Sequence, residues 1–216
     1  IGHTRWATHG GVTEPNAHPH VSDGLIAVVH NGIIENHKTL RTVLEKKGYV
    51  FKSETDTEVI PHLIASYYEG DLLTAVLAAL QHLEGTYGIA CIHADEPGRI
   101  VGARNGSPLI VGVGKDEMFL ASDFTAMVAY TNRVIYLNDG EVVDITQENY
   151  SITDRHSNSI AKKVDEITWE LGAMEKSGFM HYMEKEIFEQ PDSIARAMSG
   201  RIDEENATAK LGGLNL

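Results

Sequence analysis

Cysteine, positive charge and long hydrophobic runs are all scarce in this sequence. A single cysteine among 216 residues excludes an internal disulfide and is typical of a reducing compartment, so we expect a cytoplasmic protein. Lys and Arg number 18 against 31 Asp and Glu, and the net charge of −13 has the wrong sign for binding nucleic acid or an anionic membrane through bulk electrostatics. No run of about 18 apolar residues predicts a spanning helix, and we expect no signal segment at the N-terminus. Neither nucleic acid nor a membrane is therefore expected as a partner.

The rest of the composition is ordinary for a globular protein, with 42% hydrophobic and 23% charged residues, and the length suffices for one domain with a tail. Apolar residues at helical spacing predict helices over 34–47, 56–68 and 72–83, with short strands over 25–30 and 49–52. Later apolar runs, separated by turn residues, predict strands over 87–93, 99–104, 109–113, 118–121, 134–137 and 141–145. Helices early and strands later indicate an α+β fold.

Beyond these strands the pattern weakens. Residues 154–178 are polar and predict a connector, and 179–198 predicts a mostly helical segment interrupted at Pro191. A hairpin turn is predicted at Asn138-Asp139-Gly140 and one helical turn over 123–127.

The first ten residues carry more chemistry than a connecting loop needs. Two imidazoles, two hydroxyls, an indole and a guanidinium stand between glycines in the stretch Gly2-His3-Thr4-Arg5-Trp6-Ala7-Thr8-His9-Gly10. The Arg5 guanidinium is a rigid, permanent cation that can grip a carboxylate through two parallel hydrogen bonds. An exposed polar loop anchored by Trp6 is the alternative. The stretch predicts a site for a carboxylate or a small zwitterion.

Two later stretches favour the binding site. Asn31-Gly32 marks a tight turn, and such a turn can aim an Asn amide and a Gly N–H to one side, as an oxyanion site requires; a plain turn needs the same residues. Thr55 and Glu58 fit a capping box, which places Asp56 in the first turn of a helix. There its carboxylate can receive an ammonium group, so Arg5 and Asp56 together predict a clamp for both charges of an amino acid.

Six of the eleven histidines fall within the first 37 residues, and this density raises the question of a metal site: His3, His9, His18, His20, His30 and His37. No Cys or carboxylate stands at a familiar ligand spacing, and the proline in His18-Pro19-His20 hinders two rings from facing one ion. We therefore expect no metal, and interpret the histidines as polar groups around a small-molecule pocket.

The motifs, in order, closely resemble the glutaminase domains of glucosamine-6-phosphate synthases, the glutamine:fructose-6-phosphate amidotransferases. The resemblance is carried by His3-Thr4-Arg5-Trp6-Ala7-Thr8-His9-Gly10, Asn16-Ala17-His18-Pro19-His20, His30-Asn31-Gly32-Ile33-Ile34-Glu35-Asn36 and Ser53-Glu54-Thr55-Asp56-Thr57-Glu58. It continues less tightly to Lys185-Glu186-Ile187-Phe188-Glu189-Gln190-Pro191. The resemblance implies a four-layer αββα sandwich of the N-terminal nucleophile hydrolases without its first strand or strands. It also implies a glutaminase domain over 1–178 and a linker over 179–216 toward a sugar-isomerase domain that is absent here.

The resemblance also implies roles for individual residues. Arg5 would bind the α-carboxylate of glutamine and Asp56 its α-ammonium, with further hydrogen bonds from Thr8 and His9. Trp6 would close over the site. The Asn31 side chain and the Gly32 N–H would form the oxyanion hole. No cofactor is implied.

In this family an N-terminal cysteine attacks glutamine and releases ammonia through a thioester, whereas this sequence begins at Ile1. Cys91 lies in an apolar run without a neighbouring cation, so we expect an inert thiol there. Losing a nucleophile can cost about a millionfold in turnover. We therefore expect this polypeptide alone to hydrolyse little or no glutamine while keeping much of its binding pocket.

Two alternatives stay open. One is another amidotransferase with an N-terminal cysteine, of the purine or asparagine type, although the segment from Lys185 to Pro191 argues against it. The other is a non-catalytic fragment that binds an amino acid. The expected partners are glutamine or glutamate and the isomerase domain, and a homo-oligomer is one option that the sequence leaves open.

Overall fold

The computed structural model describes residues 1–5, 9–167, 178–198, 202–203 and 208–209. The chain divides into two compact units, Ile1–Thr168 and Trp169–Leu216. The glutaminase and linker ranges inferred from the sequence, 1–178 and 179–216, stay predictions.

The described part of the first unit contains ten strands and three α-helices, with two short 3₁₀ turns at Glu14–Asn16 and Phe124–Ala126. The strands are β1 (His20–Ser22), β2 (Ile26–Ile34), β3 (Gly85–His93), β4 (Ile100–Asn105), β5 (Ile110–Val113), β6 (Met118–Ala121), β7 (Arg133–Tyr136), β8 (Glu141–Ile145), β9 (Tyr150–Asp154) and β10 (Asp165–Glu166). The helices are α1 (His37–Lys46), α2 (Val59–Ala65) and α3 (Leu72–Leu80). The strands form a six-stranded sheet in the order β1-β2-β3-β4-β8-β9 and a four-stranded sheet in the order β10-β7-β5-β6, both antiparallel.

Each face of the six-stranded sheet has its own apolar core. On one face, Ile60 of α2 and Leu72 of α3 share a buried cluster with Val28 and Ile89. The second cluster joins Val111, Ile135 and Leu137 of the four-stranded sheet to residues of β8 and β9. Because the sheet is covered on both sides, its central strands are apolar on both faces. In the described part of this unit, helices therefore cover one face of the six-stranded sheet and the four-stranded sheet covers the other. The predicted α+β sandwich is confirmed.

The predicted strand over 49–52 is wrong. The Tyr49 N–H donates to the carbonyl of Leu44 at the end of α1, and the Lys52 N–H donates to the Glu58 carboxylate. The backbone groups of this segment are therefore satisfied locally rather than by a neighbouring strand. In contrast, β9 was not predicted from the sequence, because only Ile152 among its five residues is fully buried and the hydrophobic signal is weak.

The predicted capping box is also wrong, and the predicted start at 56 precedes the observed helix. Helix α2 begins at Val59, so Asp56 lies in the preceding turn. The Glu58 carboxylate accepts hydrogen bonds from the Lys52 and Ser53 amides, while the Thr55 hydroxyl contacts His20 Nε2 at 3.0 Å. The Thr55 and Glu58 side chains thus bond to residues before the turn instead of to each other's backbone. The turn that they stabilise carries Asp56 into the site.

The second unit contains α4 (Tyr182–Met198) and a short antiparallel pair, β11 (Ile202–Asp203) and β12 (Thr208–Ala209). The predicted interruption at Pro191 is wrong, because this proline lies inside a continuous helix. A proline removes one backbone donor and hinders the preceding turn, but the helix does not end there. Among the described residues, no helix has both the length and the apolar character needed to cross a membrane.

Candidate functional site

A pocket of about 320 Å³ lies where the opening loop, the end of β2 and the turn before α2 meet. It gathers five of the residues predicted from the sequence: Arg5, His9, Asn31, Gly32 and Asp56. Trp6 and Thr8 fall outside the described residues. The predicted convergence of the opening loop with a carboxylate about fifty positions later is therefore present in the fold.

Arg5 is held by the loop that carries it. Its two terminal nitrogens donate to the carbonyls of Gly11 and His9, both at 3.0 Å, and its backbone has a φ of 52°. A positive φ is uncommon outside glycine and persists only where surrounding contacts impose it. A guanidinium has five N–H groups, and these bonds use two of them. The side chain is thus oriented but still able to bind a carboxylate.

Asp56 supplies the opposite charge from a buried position, with 3% of its surface exposed. One carboxylate oxygen accepts from the Ile34 N–H at 2.8 Å, and the other lies 3.5 Å from Nδ1 of His9. This His9 nitrogen is buried and has no hydrogen-bond partner in the described part of the chain. A buried polar atom left unpaired is costly, so His9 and Asp56 mark a place where a ligand donor is expected.

Asn31 and Gly32 do not form the predicted tight turn. Both lie within β2, paired with Gly88 and Tyr87 of β3, so the strand continues through them. Gly32 accommodates this path with a φ of 131°. A Cβ at this position would lie 2.1 Å from the carbonyl oxygen of Thr86, so the close approach of the two strands requires glycine. Both residues still line the pocket.

The orientation of the Asn31 amide follows from His3. The Arg5 N–H donates to Nδ1 of His3 at 2.8 Å, which makes Nδ1 an acceptor and leaves the proton of the neutral ring on Nε2. Nε2 in turn lies 2.6 Å from Oδ1 of Asn31. Because the amide oxygen is occupied, the NH₂ end of Asn31 is the one left to donate to a ligand.

His30 fastens the same strand from its buried side. Its Nδ1 lies 2.9 Å from the Thr57 hydroxyl, next to Asp56, and its Nε2 lies 3.2 Å from the Thr86 carbonyl. A carbonyl can only accept, so Nε2 carries the proton and Nδ1 accepts from Thr57. This ring ties together β2, β3 and the turn that carries Asp56.

Several imidazoles around the pocket are uncharged. Burial and the neighbouring His3 lower the pKa of His18 to about 3, and burial lowers the pKa of His20 and of His30. His18 and His3 stack with their ring centroids 4.3 Å apart. These neutral rings do not compete with Arg5 for an anion. Among the described residues, no group of three or more His, Cys, Asp or Glu side chains could hold a metal ion.

Cys91 is not a candidate nucleophile. It is fully buried in β3, and burial raises the pKa of its thiol to about 12. A thiol must ionise to attack a carbonyl, so the inert thiol predicted from the sequence is supported.

A larger cleft of about 770 Å³ adjoins the pocket, between the two sheets. It shares four lining residues with the pocket: His3, Arg5, His30 and Asn31. Its opposite wall is formed by Leu120, Ala121 and the short turn that contains Thr125. Asn31 therefore lines both the smaller pocket and the larger cleft.

The sequence alone did not indicate how His3, Thr57 and Thr86 support the site. His3 lies 28 positions from Asn31, and Thr86 lies 56 positions from His30. Such contacts leave no local periodicity. The density of polar groups in the opening stretch was the one signal that could have pointed to His3.

The chain belongs to the glutamine amidotransferase domain family, whose match covers residues 3–129. This is an enzyme family. More particularly, the chain is 51% identical over 213 residues to the isomerising glutamine–fructose-6-phosphate aminotransferase of Thermus thermophilus, and 50% identical over 208 residues to that of Aquifex aeolicus. These matches cover 98% and 96% of the chain, so the resemblance drawn from its motifs is confirmed. The chain spans only 35% of the length of either relative.

Solved structures agree with this assignment. The glutamine phosphoribosylpyrophosphate amidotransferase of B. subtilis, complexed with ADP and GMP, superimposes with a TM-score of 0.59 at 27% identity, covering 73% of this chain and 35% of its own. An allosteric regulatory enzyme of purine biosynthesis gives a TM-score of 0.57 at 26% identity, over 68% of this chain and 33% of its own. The sandwich is thus that of amidotransferases with an N-terminal nucleophile.

Proposed function

We propose that this chain is the glutaminase part of a glutamine:fructose-6-phosphate amidotransferase and that its pocket binds L-glutamine. The observation that carries the proposal is that Arg5 and Asp56, of opposite charge and far apart in sequence, line one pocket without being paired to each other. A free amino acid carries the complementary pair of charges. Each of the two side chains can form a charge-assisted hydrogen bond with the amino acid, which is stronger than a hydrogen bond between neutral groups.

In the proposed complex the α-carboxylate lies against the Arg5 guanidinium. The α-ammonium donates to Oδ1 of Asp56, the oxygen that does not bond to Ile34, and to Nδ1 of His9. These two atoms lie 3.5 Å apart. This arrangement gives the unpaired His9 nitrogen a partner. Trp6 and Thr8 are proposed to close the site and add hydrogen bonds, as the resemblance implies.

The side-chain amide of glutamine then points toward Asn31 and Gly32. The Asn31 NH₂ group and the Gly32 N–H would stabilise the oxyanion that forms when a nucleophile attacks this amide, and one such donor contributes about 100 to 1,000-fold in rate. Cys91 cannot be that nucleophile, and the sequence contains no other cysteine. We propose that the residues present bind and polarise glutamine but hydrolyse little or none.

The acceptor chemistry is proposed from the relatives. Aminotransferases that are named for fructose 6-phosphate match 98% of the chain at 51% identity, whereas the phosphoribosylpyrophosphate amidotransferase matches 73% at 27%. This difference favours the sugar enzyme over the purine type. Residues from 179 onward would lead to an isomerase domain. A cytoplasmic location and a homo-oligomer stay predictions.

Calorimetric titration with L-glutamine and L-glutamate, beside an ammonia-release assay, tests the proposal. We expect one binding site and no ammonia above background. Arg5→Ala and Asp56→Asn should each weaken binding by about 10 to 100-fold, since a hydrogen bond to a charged group contributes about 1.5–3 kcal/mol. Arg133→Ala and Asp165→Asn, on exposed parts of β7 and β10, are the matched controls. Failure of the native chain to bind either amino acid, or equal affinities in all four variants, would contradict the proposed pocket.

A further inference from the structure

A buried asparagine joins the two sides of the pocket. Asn16 ends a short 3₁₀ turn (Glu14–Asn16) and has 2% of its surface exposed. Its side-chain NH₂ donates to the Gly11 carbonyl at 3.1 Å and approaches the Glu54 carboxylate at 3.4 Å. Its side-chain oxygen accepts from the Glu54 N–H at 2.9 Å. One amide thus joins the loop at Gly11 to the turn at Glu54, which lies 38 positions from Asn16 in sequence.

The first segment is the loop that orients Arg5. The Gly11 carbonyl that accepts from Asn16 also accepts from the Arg5 guanidinium. Gly10, with a φ of 72°, packs so closely that a Cβ there would lie 2.7 Å from the Asn16 amide nitrogen. Asn16 therefore fixes one of the two carbonyls that orient the guanidinium.

The second segment is the turn that carries Asp56. Glu54 is anchored to Asn16 through its backbone N–H, and Asp56 follows two residues later. The Asp56 carboxylate then accepts from the Ile34 N–H. A displacement at Glu54 would therefore reach both the carboxylate and its bond to β2.

We propose that Asn16 is a positioning residue that fixes the spacing between the Arg5 guanidinium and the Asp56 carboxylate, and through it the amino-acid head group that the pocket accepts. The inference rests on the proposed function for its ligand but not for its geometry. The position needs a donor and an acceptor on one short planar group, which an asparagine supplies. An aspartate of the same size keeps the acceptor and loses both donors.

Residue-resolved amide hydrogen exchange tests the geometry without any ligand. In Asn16→Asp we expect the Glu54 and Ile34 amides to exchange roughly tenfold faster, because the turn that carries Asp56 loosens. Amides of the four-stranded sheet, such as that of Val111, should change less than about twofold. Asn138→Asp is the control, since its side-chain amide bonds only to the nearby Glu141 among the described contacts. An unchanged Ile34 amide beside a faster Glu54 amide would overturn the proposal.

Titration with L-glutamine tests the consequence. We expect Asn16→Asp to raise the dissociation constant about tenfold at unchanged stoichiometry, whereas loss of folded protein alone would lower the stoichiometry. An unchanged dissociation constant would refute the positioning role. Should Asn16→Asp fail to fold, Asn16→Ser is measured in the same two ways. If the native chain binds no glutamine, the proposed function fails, and the exchange of Ile34 still decides the role of Asn16.

Discussion

Nε2 of His3 lies 2.6 Å from Oδ1 of Asn31, and this contact decides which end of the Asn31 amide faces the pocket. The backbone of Arg5 fixes the proton of the His3 ring through its own bond to Nδ1. The segment that carries the proposed carboxylate-binding group therefore also orients the proposed oxyanion donor. Under the proposed function, one imidazole thus links the group that would bind the ligand carboxylate to the group that would polarise the ligand amide.

Replacing His3 tests this coupling. In His3→Ala the Asn31 amide loses the bond that orients it, and we expect the dissociation constant for L-glutamine to rise by roughly 2 to 10-fold, the range of one hydrogen bond. His3→Gln can return a donor to Oδ1 and should recover part of the affinity. Calorimetry measures both. Equal affinities for the native chain and His3→Ala would show that Asn31 is oriented by something else.

A methyl group at Gly32 should disrupt the strand pairing beneath the site. The added Cβ meets the Thr86 carbonyl at 2.1 Å and a φ of 131° disfavours any side chain, so we expect Gly32→Ala to lower the free energy of unfolding by about 3–5 kcal/mol. Gly24 also has a positive φ, 73°, but open space around it. Gly24→Ala should therefore cost only about 1–2 kcal/mol. Urea unfolding compares them, and equal losses would argue against the close approach.

Acidification should destabilise the fold through His18. Its folded pKa, about 3, lies below the unfolded value of 6.5, so the unfolded chain binds the proton more readily. The stability that follows from this difference in pKa is fully present above pH 6.5, and it is lost as the pH falls from 6.5 toward 3. His18→Asn, which keeps an acceptor for the His30 N–H, should flatten this fall. His156→Asn on the surface serves as the control, and parallel pH curves for both variants would exclude His18 as the cause.

Arg99, immediately before β4, is a cation in contact with three carboxylates. It pairs with Asp144 through two bonds of 2.8 Å and also contacts Asp71 and Glu96. Hydrogen bonds from Thr74 and from Arg99 lower the pKa of Asp71 from 3.8 to about 2 in the native protein. The ionised Asp71 carboxylate therefore contributes to stability above pH 3.8, and this contribution is lost as the pH falls through 2.

Arg99→Met should lower the free energy of unfolding by about 3 kcal/mol at pH 7, because three carboxylates are left facing one another. The loss should be smaller at pH 4, where these carboxylates take up protons that relieve their repulsion. Urea unfolding at both pH values measures it. A loss of the same size at both would mean that the role of Arg99 is packing and not charge.

Much of the fold follows from local pattern. The apolar runs around β3 to β8 mark strands because their side chains are buried on one or both faces. The predicted hairpin at Asn138-Asp139-Gly140 is wrong, because this turn joins β7 of the four-stranded sheet to β8 of the six-stranded sheet, and the two strands do not pair. Other errors arose where hydrogen bonds to particular partners decide the backbone. The backbone groups of residues 49–52 bond to nearby residues and have no partner strand, whereas Asn31-Gly32 continues a strand because β3 pairs with it over its whole length.

The two charged residues that line the pocket were predictable from the sequence, but the residues that orient them were not. Arg5 and Asp56 stand out because a cation in a glycine-bounded loop and an acid in a polar turn have few structural uses. Asn16 and His3 act through hydrogen bonds that include partners 38 and 28 positions away, Glu54 and Asn31. Spacing in the sequence carries no trace of such bonds, so they needed coordinates.

A crystal structure of this chain grown with L-glutamate tests the central claim most directly. The account predicts electron density in the pocket of about 320 Å³, with the α-carboxylate at the Arg5 guanidinium and the α-ammonium between Asp56 and His9. Density for the amino acid elsewhere, or in the reversed orientation with its carboxylate against Asp56, would contradict it.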